Sequence, residues 1–175
     1  MNLAVEVRSL RKSDDRSYFS CGNIELDRFF RLYAGQNQFK LYIGVTYIAE
    51  VERAIAGFIT LASGEISSIA IAEKNRNRLP DYPLPILRIA RLAVDLSYKG
   101  IGLGSLLLKS AFQIAMQQKN TSGCVGVVVD AKKESIDFYQ KLGFTVLKTE
   151  KGELFSHPAS YPMFIATSLI NAAIK

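Results

Sequence analysis

Three glycines, Gly100, Gly102 and Gly104, stand between a β-like run and a long apolar run in "RLAVDLSYKGIGLGSLLLKSA", Arg91 to Ala111. A strand, a glycine-rich turn and a helix in that order make an anion site. The first turn of a helix carries unpaired N–H groups and a partial positive charge. Glycine lets the backbone come close to a ligand and take positive φ. Lys99 adds a full charge at the edge of the turn. The chemistry that suits this spacing is the gripping of a diphosphate by main-chain amides. The alternative reading is a tight turn that needs glycine for shape alone.

Two common nucleotide motifs do not fit. A Walker loop needs GxxxxGK followed by Ser or Thr, and the chain has none. A dinucleotide fingerprint needs GxGxxG. Counted from Gly100 the third glycine position is Ser105, and counted from Gly102 it is Leu107. No early βαβ unit precedes the loop.

The rest of the composition bounds the problem. The chain has 175 residues, 49% hydrophobic and 22% charged, which predicts one soluble domain, residues 1–175, with a real core. The formal net charge of +6 is read either as a solvated basic surface or as attraction for nucleotide phosphates or RNA. Cys21 and Cys124 form no CxxC, and His157 is the one histidine, so neither a disulfide framework nor a metal site is expected. Cys21 reads as a small buried residue ahead of a helix. No apolar run approaches the ~18 residues of a membrane span. "MNLAVEVRSLRKSDD" lacks the apolar core of a secretory signal. A cytoplasmic protein with no membrane partner is the expectation.

The elements that must position the glycine loop can be read from periodicity. "LAVEVRSL", residues 3–10, predicts a first strand. Residues 23–39 predict a helix capped by Asn23, with an apolar stripe of Ile24, Phe29, Phe30, Tyr33 and Ala34. "LYIGVTYIAE" and "AIAGFITLASGEIS" predict a hairpin across "VER". Residues 73–85 predict a long loop with three prolines and the basic residues Lys74, Arg76 and Arg78. A strand over 86–95, a helix over 103–118, a buried strand over 124–131 and a helix over 133–143 ending at Gly143 follow. "FTVLKTE" and "YPMFIATSLI" predict two closing strands. The sum is a mixed α/β sheet.

The basic-Gly-x-Gly-x-Gly run after "RLAVD" resembles the acetyl-coenzyme A diphosphate loop of the GNAT superfamily of N-acetyltransferases. Lys99, Gly102 and Gly104 occupy the places of its Gln/Arg-x-x-Gly-x-Gly/Ala pattern. Lysine keeps the charge and loses the forked donor geometry of arginine. "DAKKESIDFYQKLGF" resembles the superfamily's later Phe-Tyr-x-x-x-Gly-Phe segment, and the element order matches from end to end. The resemblance implies a single-domain, mostly antiparallel mixed sheet flanked by helices, with a splay between central strands where the pantetheine arm pairs near Leu92, Ala93 and Val94. It implies acetyl-coenzyme A contacts from Lys99, Gly100, Ile101, Gly102, Leu103, Gly104, Ser105 and Phe138. It puts Tyr139 near the sulfur, donating a hydrogen bond or a proton to the leaving thiolate. The alternative for Tyr139 is a core aromatic on a face shared with Ile136, Phe138 and Leu142.

Acetylation needs a neutral amine. A lysine with pKa of about 10.4 is neutral in about one molecule per thousand near pH 7.4, whereas an α-amine with pKa of about 7.7–8.0 is neutral in about a fifth to a third. No Glu or Asp stands out as a base, and Asp95 reads as a residue that caps or tethers the loop, so an α-amine acceptor is favoured. "YFSCGNIELDRFFRLYAGQNQ" and "RIARLAVDLSYKGIGLGSLLL" resemble the acetyltransferase toxins of toxin–antitoxin pairs. That resemblance implies a dimer that acetylates the α-amine of aminoacyl-tRNA, blocks translation and is neutralised by a ribbon-helix-helix antitoxin. Phosphate contacts would need cations, for which Lys74, Arg76, Arg78, Arg88 and Arg91 are candidates. Arg88 and Arg91 are three apart on one strand and are expected to face opposite ways. An acetyltransferase for a small or protein amine, and an acyl-coenzyme A-binding regulator without turnover, are the rival readings.

Overall fold

Hydrophobic runs at period two and period 3.6 settle into seven strands and five helices among the described residues. The computed structural model describes residues 3–71, 79–147 and 160–174, with side chains through residue 171. The strands are β1 Val5–Ser9, β2 Val45–Val51, β3 Ala54–Ile66, β4 Leu84–Val94, β5 Gly126–Lys132, β6 Thr145–Val146 and β7 Ser160–Ala166. They hydrogen-bond in the order β1-β2-β3-β4-β5-β7-β6. The helices are α1 Ile24–Arg28, α2 Ala34–Phe39, α3 Leu103–Thr121, α4 Ile136–Lys141 and α5 Thr167–Ile174. The expected mixed α/β sheet with flanking helices is therefore present. The chain forms two compact units, Met1–Ala62 with Ile89–Ala111, and Ser63–Arg88 with Phe112–Lys175.

In the first unit β1 pairs antiparallel with β2, Val5 opposite Val51, and β2 with β3, Val45 opposite Leu61. Glu52 and Arg53 close the β2–β3 hairpin at φ of 49° and 69°. Two consecutive left-handed residues match the right-handed twist of the strands they join. The helix expected over 23–39 is present but not uniform. Asn23 caps it, its side chain accepting the N–H of Leu26 at 3.0 Å. A π-helical turn, Phe29–Tyr33, then separates α1 from α2. The extra residue in that turn changes the predicted stripe. Phe29, Phe30 and Ala34 are buried, whereas Ile24 and Tyr33 are exposed. The buried aromatics pack on β3: Phe30 stacks on Phe58 at 4.3 Å between centroids, and Phe19 meets both rings edge-on at 4.8 and 5.4 Å. Leu10, Ile48 and Ala93 complete this core.

In the second unit β5 pairs antiparallel with β7, Gly126 opposite Ala166, and β6 with β7. Ile86, Val128, Phe164 and Ile71 lie in its core. The structure corrects the reading of the C-terminal segment. The strand expected through Ile170 stops at Ala166, and α5 takes over. The Thr167 hydroxyl bonds the carbonyl of Cys124 at 2.8 Å and its N–H bonds the carbonyl of Val125 at 2.9 Å, which ends the ladder and starts the helix. The strand expected from Phe144 is likewise shorter, two residues of β6.

Candidate active site

The glycine loop is assembled within the first unit. β4 ends at Val94, where the N–H of Asp95 bonds the carbonyl of Ala56 on β3 at 2.8 Å. A short 3-10 turn, Leu96–Tyr98, and extended Lys99 lead into the glycines. Gly100 and Gly102 have φ of +83° and +89°, the left-handed region that glycine enters without a steric cost. The carbonyl of Gly102 accepts the N–H of Leu106 at 3.1 Å, the first bond of α3. The N–H groups of Leu103, Gly104 and Ser105 therefore occupy the helix's first turn, where no intrahelical acceptor exists.

What surrounds these glycines separates shape from function. A Cβ built on Gly100 or Gly102 would meet nothing within 4 Å. A Cβ on Gly126 would lie 2.3 Å from the ring of Phe164, so there packing alone demands glycine. At the loop the neighbouring space is open, and Lys99, Gly100, Ile101 and Gly102 are exposed. Open space over a positive helix terminus fits a diphosphate. Leu92, Ala93 and Val94 lead directly into this loop along β4, so the expected pantetheine segment and diphosphate loop are continuous in one unit.

Asp95 fixes the loop to the N-terminal segment. One carboxylate oxygen accepts the N–H of Ser97 at 2.9 Å and the other the N–H of Ser20 at 3.0 Å. The N–H of Leu96 bonds the carbonyl of Ser20 at 2.9 Å. Asp95 is thus the cap and tether that the sequence suggested. Its partner Ser20 has no signal in sequence, because the two are far apart along the chain.

Tyr139 and Phe138 stand in the second unit, on α4. The helix ends in a Schellman motif: the N–H of Gly143 bonds the carbonyl of Gln140 at 3.0 Å, and that of Phe144 the carbonyl of Tyr139 at 3.1 Å. Gly143 holds φ of +101°, as its predicted role as the residue past the helix end requires. The ring of Phe144 meets Tyr139 edge-on at 5.4 Å and Phe138 does so at 5.1 Å. Tyr139 is buried, and burial pushes its phenol up to about 12. It stays protonated across the physiological range and can act only as a donor of its hydrogen or as a core aromatic.

The candidate substrate cations divide. Lys74, Arg76 and Arg78 lie outside the described residues, as does His157. Arg88 is paired with Asp130 at 3.4 Å in the second unit. Arg91 lies in the first unit, its guanidinium centred 3.8 Å from the centroid of the Phe29 ring. The two arginines thus go to separate partners. Cys21 is buried, its N–H held by Asp27 at 2.8 Å, and burial raises the thiol's pKa, so it is no nucleophile.

A cleft of about 470 Å³ in the first unit is lined by Asp14, Asp15, Tyr18, Glu50, Arg53 and Asp95, among others. Four carboxylates make it a poor host for a diphosphate. Arg8 already neutralises two of them, Asp14 at 2.8 Å and Glu50 at 2.6 Å.

Comparison with known proteins identifies the family and the fold. The family model of the acetyltransferase (GNAT) domain matches residues 43–146. A tRNA-acetylating toxin of Mycobacterium tuberculosis (strain ATCC 25618 / H37Rv) is 31% identical over 146 residues, 82% of this chain and 86% of that protein. Among solved structures, AtaT complexed with acetyl-methionyl-tRNAfMet superposes with a TM-score of 0.84 at 23% identity, covering 98% of this chain and all of the other (100%). A tyrosine-to-phenylalanine variant of the AtaT toxin, bound to the C-terminus of the antitoxin AtaR and to acetyl-CoA, gives 0.75 at 22% identity with 96% of each chain covered. At these identities the two structures are likenesses of fold. Among the described residues, no helix is long and apolar enough to cross a membrane.

Proposed function

From the chain's membership of the GNAT acetyltransferase family, whose enzymes transfer the acetyl group of acetyl-CoA, we propose that its acceptor is the α-amine of an aminoacyl-tRNA and that its action stops translation in the cytoplasm. The observation that carries the acceptor is the 31% identity with a tRNA-acetylating toxin across 82% of the chain. The whole chain then serves as one catalytic domain.

Bound acetyl-CoA supplies a thioester whose carbonyl is open to attack by an amine. The amides of Leu103, Gly104 and Ser105 would hold the diphosphate, with Lys99 adding charge and Gly100 and Gly102 leaving the approach clear. The splay that the family resemblance implies would leave Leu92–Val94 open to align the pantetheine arm, as peptide segments are aligned by strand addition. The family resemblance would put Tyr139 beside the sulfur, where its phenol would donate a hydrogen bond to the departing thiolate. Its pKa of about 12 lies well above an ordinary thiol's of about 8.5. Full proton transfer would be uphill by roughly 5 kcal/mol, so a hydrogen bond to the thiolate is the role its environment supports. An α-amine acceptor is sufficiently neutral near pH 7.4 to attack without a dedicated base; the N–C bond would form as the C–S bond breaks, and the proton shed by the nitrogen would pass to solvent or to the departing thiolate.

We also propose that the active species is a homodimer, and that a ribbon-helix-helix antitoxin neutralises it. The complex of the structurally similar AtaT with antitoxin AtaR supports the second point. A translation extract supplied with acetyl-CoA tests the central reading. Arrested synthesis with labelled acetate recovered on aminoacyl-tRNA is expected. Unimpaired synthesis with rapid acetylation of free polyamines would assign a small-amine acceptor. Cofactor binding with no transfer to any amine would leave a regulator.

A further inference from the structure

The π-helical turn brings Phe29 under β4. The centre of the Arg91 guanidinium lies 3.8 Å above the Phe29 ring, the separation of a close cation–π stack. The platform is itself held: Phe29 is buried and lies tilted against Phe58 at 6.3 Å. Strand alternation puts Arg91 on the same face as Ala93, which belongs to the same core as Phe29 and Phe58. Arg91 is half-buried, and burial lowers its basicity without removing its charge. Among the described residues the salt bridges engage Arg8 and Arg88 and leave Arg91 without one. A partly desolvated guanidinium, supported from below and free of carboxylate among the described residues, has N–H groups left for an incoming anion.

Its place on the strand says which anion. The glycine loop follows the C-terminal end of β4, and on the reading above the pantetheine arm would run back from it along Leu92–Val94. At about 3.3 Å per residue, Arg91 then stands just beyond that segment, where the thioester and the acceptor would meet. Resting on the aminoacyl-tRNA reading above, we propose that Arg91 anchors a phosphate at the acceptor's 3′ end and that Phe29 is the positioning residue that holds it there. The planar fork of arginine matches a phosphate with two parallel hydrogen bonds. An acceptor that brings only ammonium groups, such as a polyamine or a lysine-rich peptide, meets repulsion at the same place. The arrangement therefore selects amines carried next to phosphate.

Steady-state kinetics with aminoacyl-tRNA and acetyl-CoA test this through Arg91→Gln, Phe29→Leu and the double variant. Arg91→Gln is expected to raise KM for aminoacyl-tRNA about tenfold or more, with acetyl-CoA affinity unchanged. The slope of log affinity against log salt should flatten by about 0.7 to 0.9, one phosphate contact. Phe29→Leu is expected to raise the same KM severalfold while thermal melting still reports a folded chain. In the Arg91→Gln background the Phe29→Leu change should add little, because the group it positions is gone. Full additivity of the two changes would assign Phe29 a packing role and overturn its part. An unchanged KM and salt slope in Arg91→Gln, with wild type active on aminoacyl-tRNA, would overturn the anchor. A wild type inactive on aminoacyl-tRNA would overturn the acceptor reading and this one with it.

Discussion

Asp95 binds Ser20 across the fold: the carboxylate accepts the Ser20 N–H at 3.0 Å while its other oxygen caps the turn at Ser97 at 2.9 Å. One buried side chain thus joins the N-terminal segment to the approach of the glycine loop. Replacing it with alanine leaves the N–H groups of Ser20 and Ser97 without their acceptor.

Asp95→Ala is expected to cost about 1–3 kcal/mol of stability, the range for a lost cap plus an unsatisfied partner. Acetyl-CoA affinity should fall as well, since the loop loses its tether. Urea unfolding and calorimetric titration would measure both, and a variant as stable as wild type would deny Asp95 the tethering role.

Gly102 and Gly126 should respond in opposite ways. Gly102→Trp is expected to leave a folded protein that no longer binds acetyl-CoA, because its Cβ meets open space in the free chain. Backbone strain at φ of +89° adds a cost of about 1–2 kcal/mol. Gly126→Ala should instead disrupt the fold, its Cβ lying 2.3 Å from Phe164 and 2.4 Å from the carbonyl of Ile165. Circular dichroism beside cofactor titration separates the two. A Gly102→Trp protein with wild-type cofactor affinity would reduce the loop to a turn.

Tyr139→Phe is expected to lower kcat about 100-fold, the scale of losing one hydrogen-bond donor aimed at charge that develops in the transition state, with acetyl-CoA affinity within about twofold of wild type. The phenyl ring keeps its packing against Phe138 and Phe144, so melting should be little changed at neutral pH. Undiminished turnover would make Tyr139 a core aromatic and nothing more.

The same residue predicts an alkaline dependence. Its pKa in the folded chain, about 12, stands above the ordinary 10, so the folded state keeps a proton that the unfolded state has lost. The resulting stabilisation is fully present below pH 10 and disappears as pH rises toward 12, a change of at most about 2–3 kcal/mol. Unfolding of wild type and Tyr139→Phe compared at pH 9 and pH 11.5 should show wild type losing ground to the variant. A constant difference would mean that the phenol is not desolvated.

Much of this was legible from residue order because the determinants are local. Asn23 before an apolar run, glycines between strand and helix, and Gly143 closing α4 each act within one turn of the backbone. Tyr33 leaves the predicted stripe because a π-helical turn shifts the face by one residue, and no local propensity announces it, whereas Ile24 opens α1 ahead of that turn and lies off the buried face already. The helix at Thr167 was missed because "TSLI" suits either period; the deciding bonds go to Cys124 and Val125, distant in the chain. Phe29 under Arg91 and Ser20 beside Asp95 belong to the same class. They are contacts between segments, and spacing along the chain carries no trace of them.

A grip formed by peptide amides has no side chain to lose. Point changes at outward-facing Ile101 should be tolerated, while inactivating ones in this loop concentrate at its glycines. Mutational escape from the enzyme's activity by way of the donor end is therefore confined to a few codons.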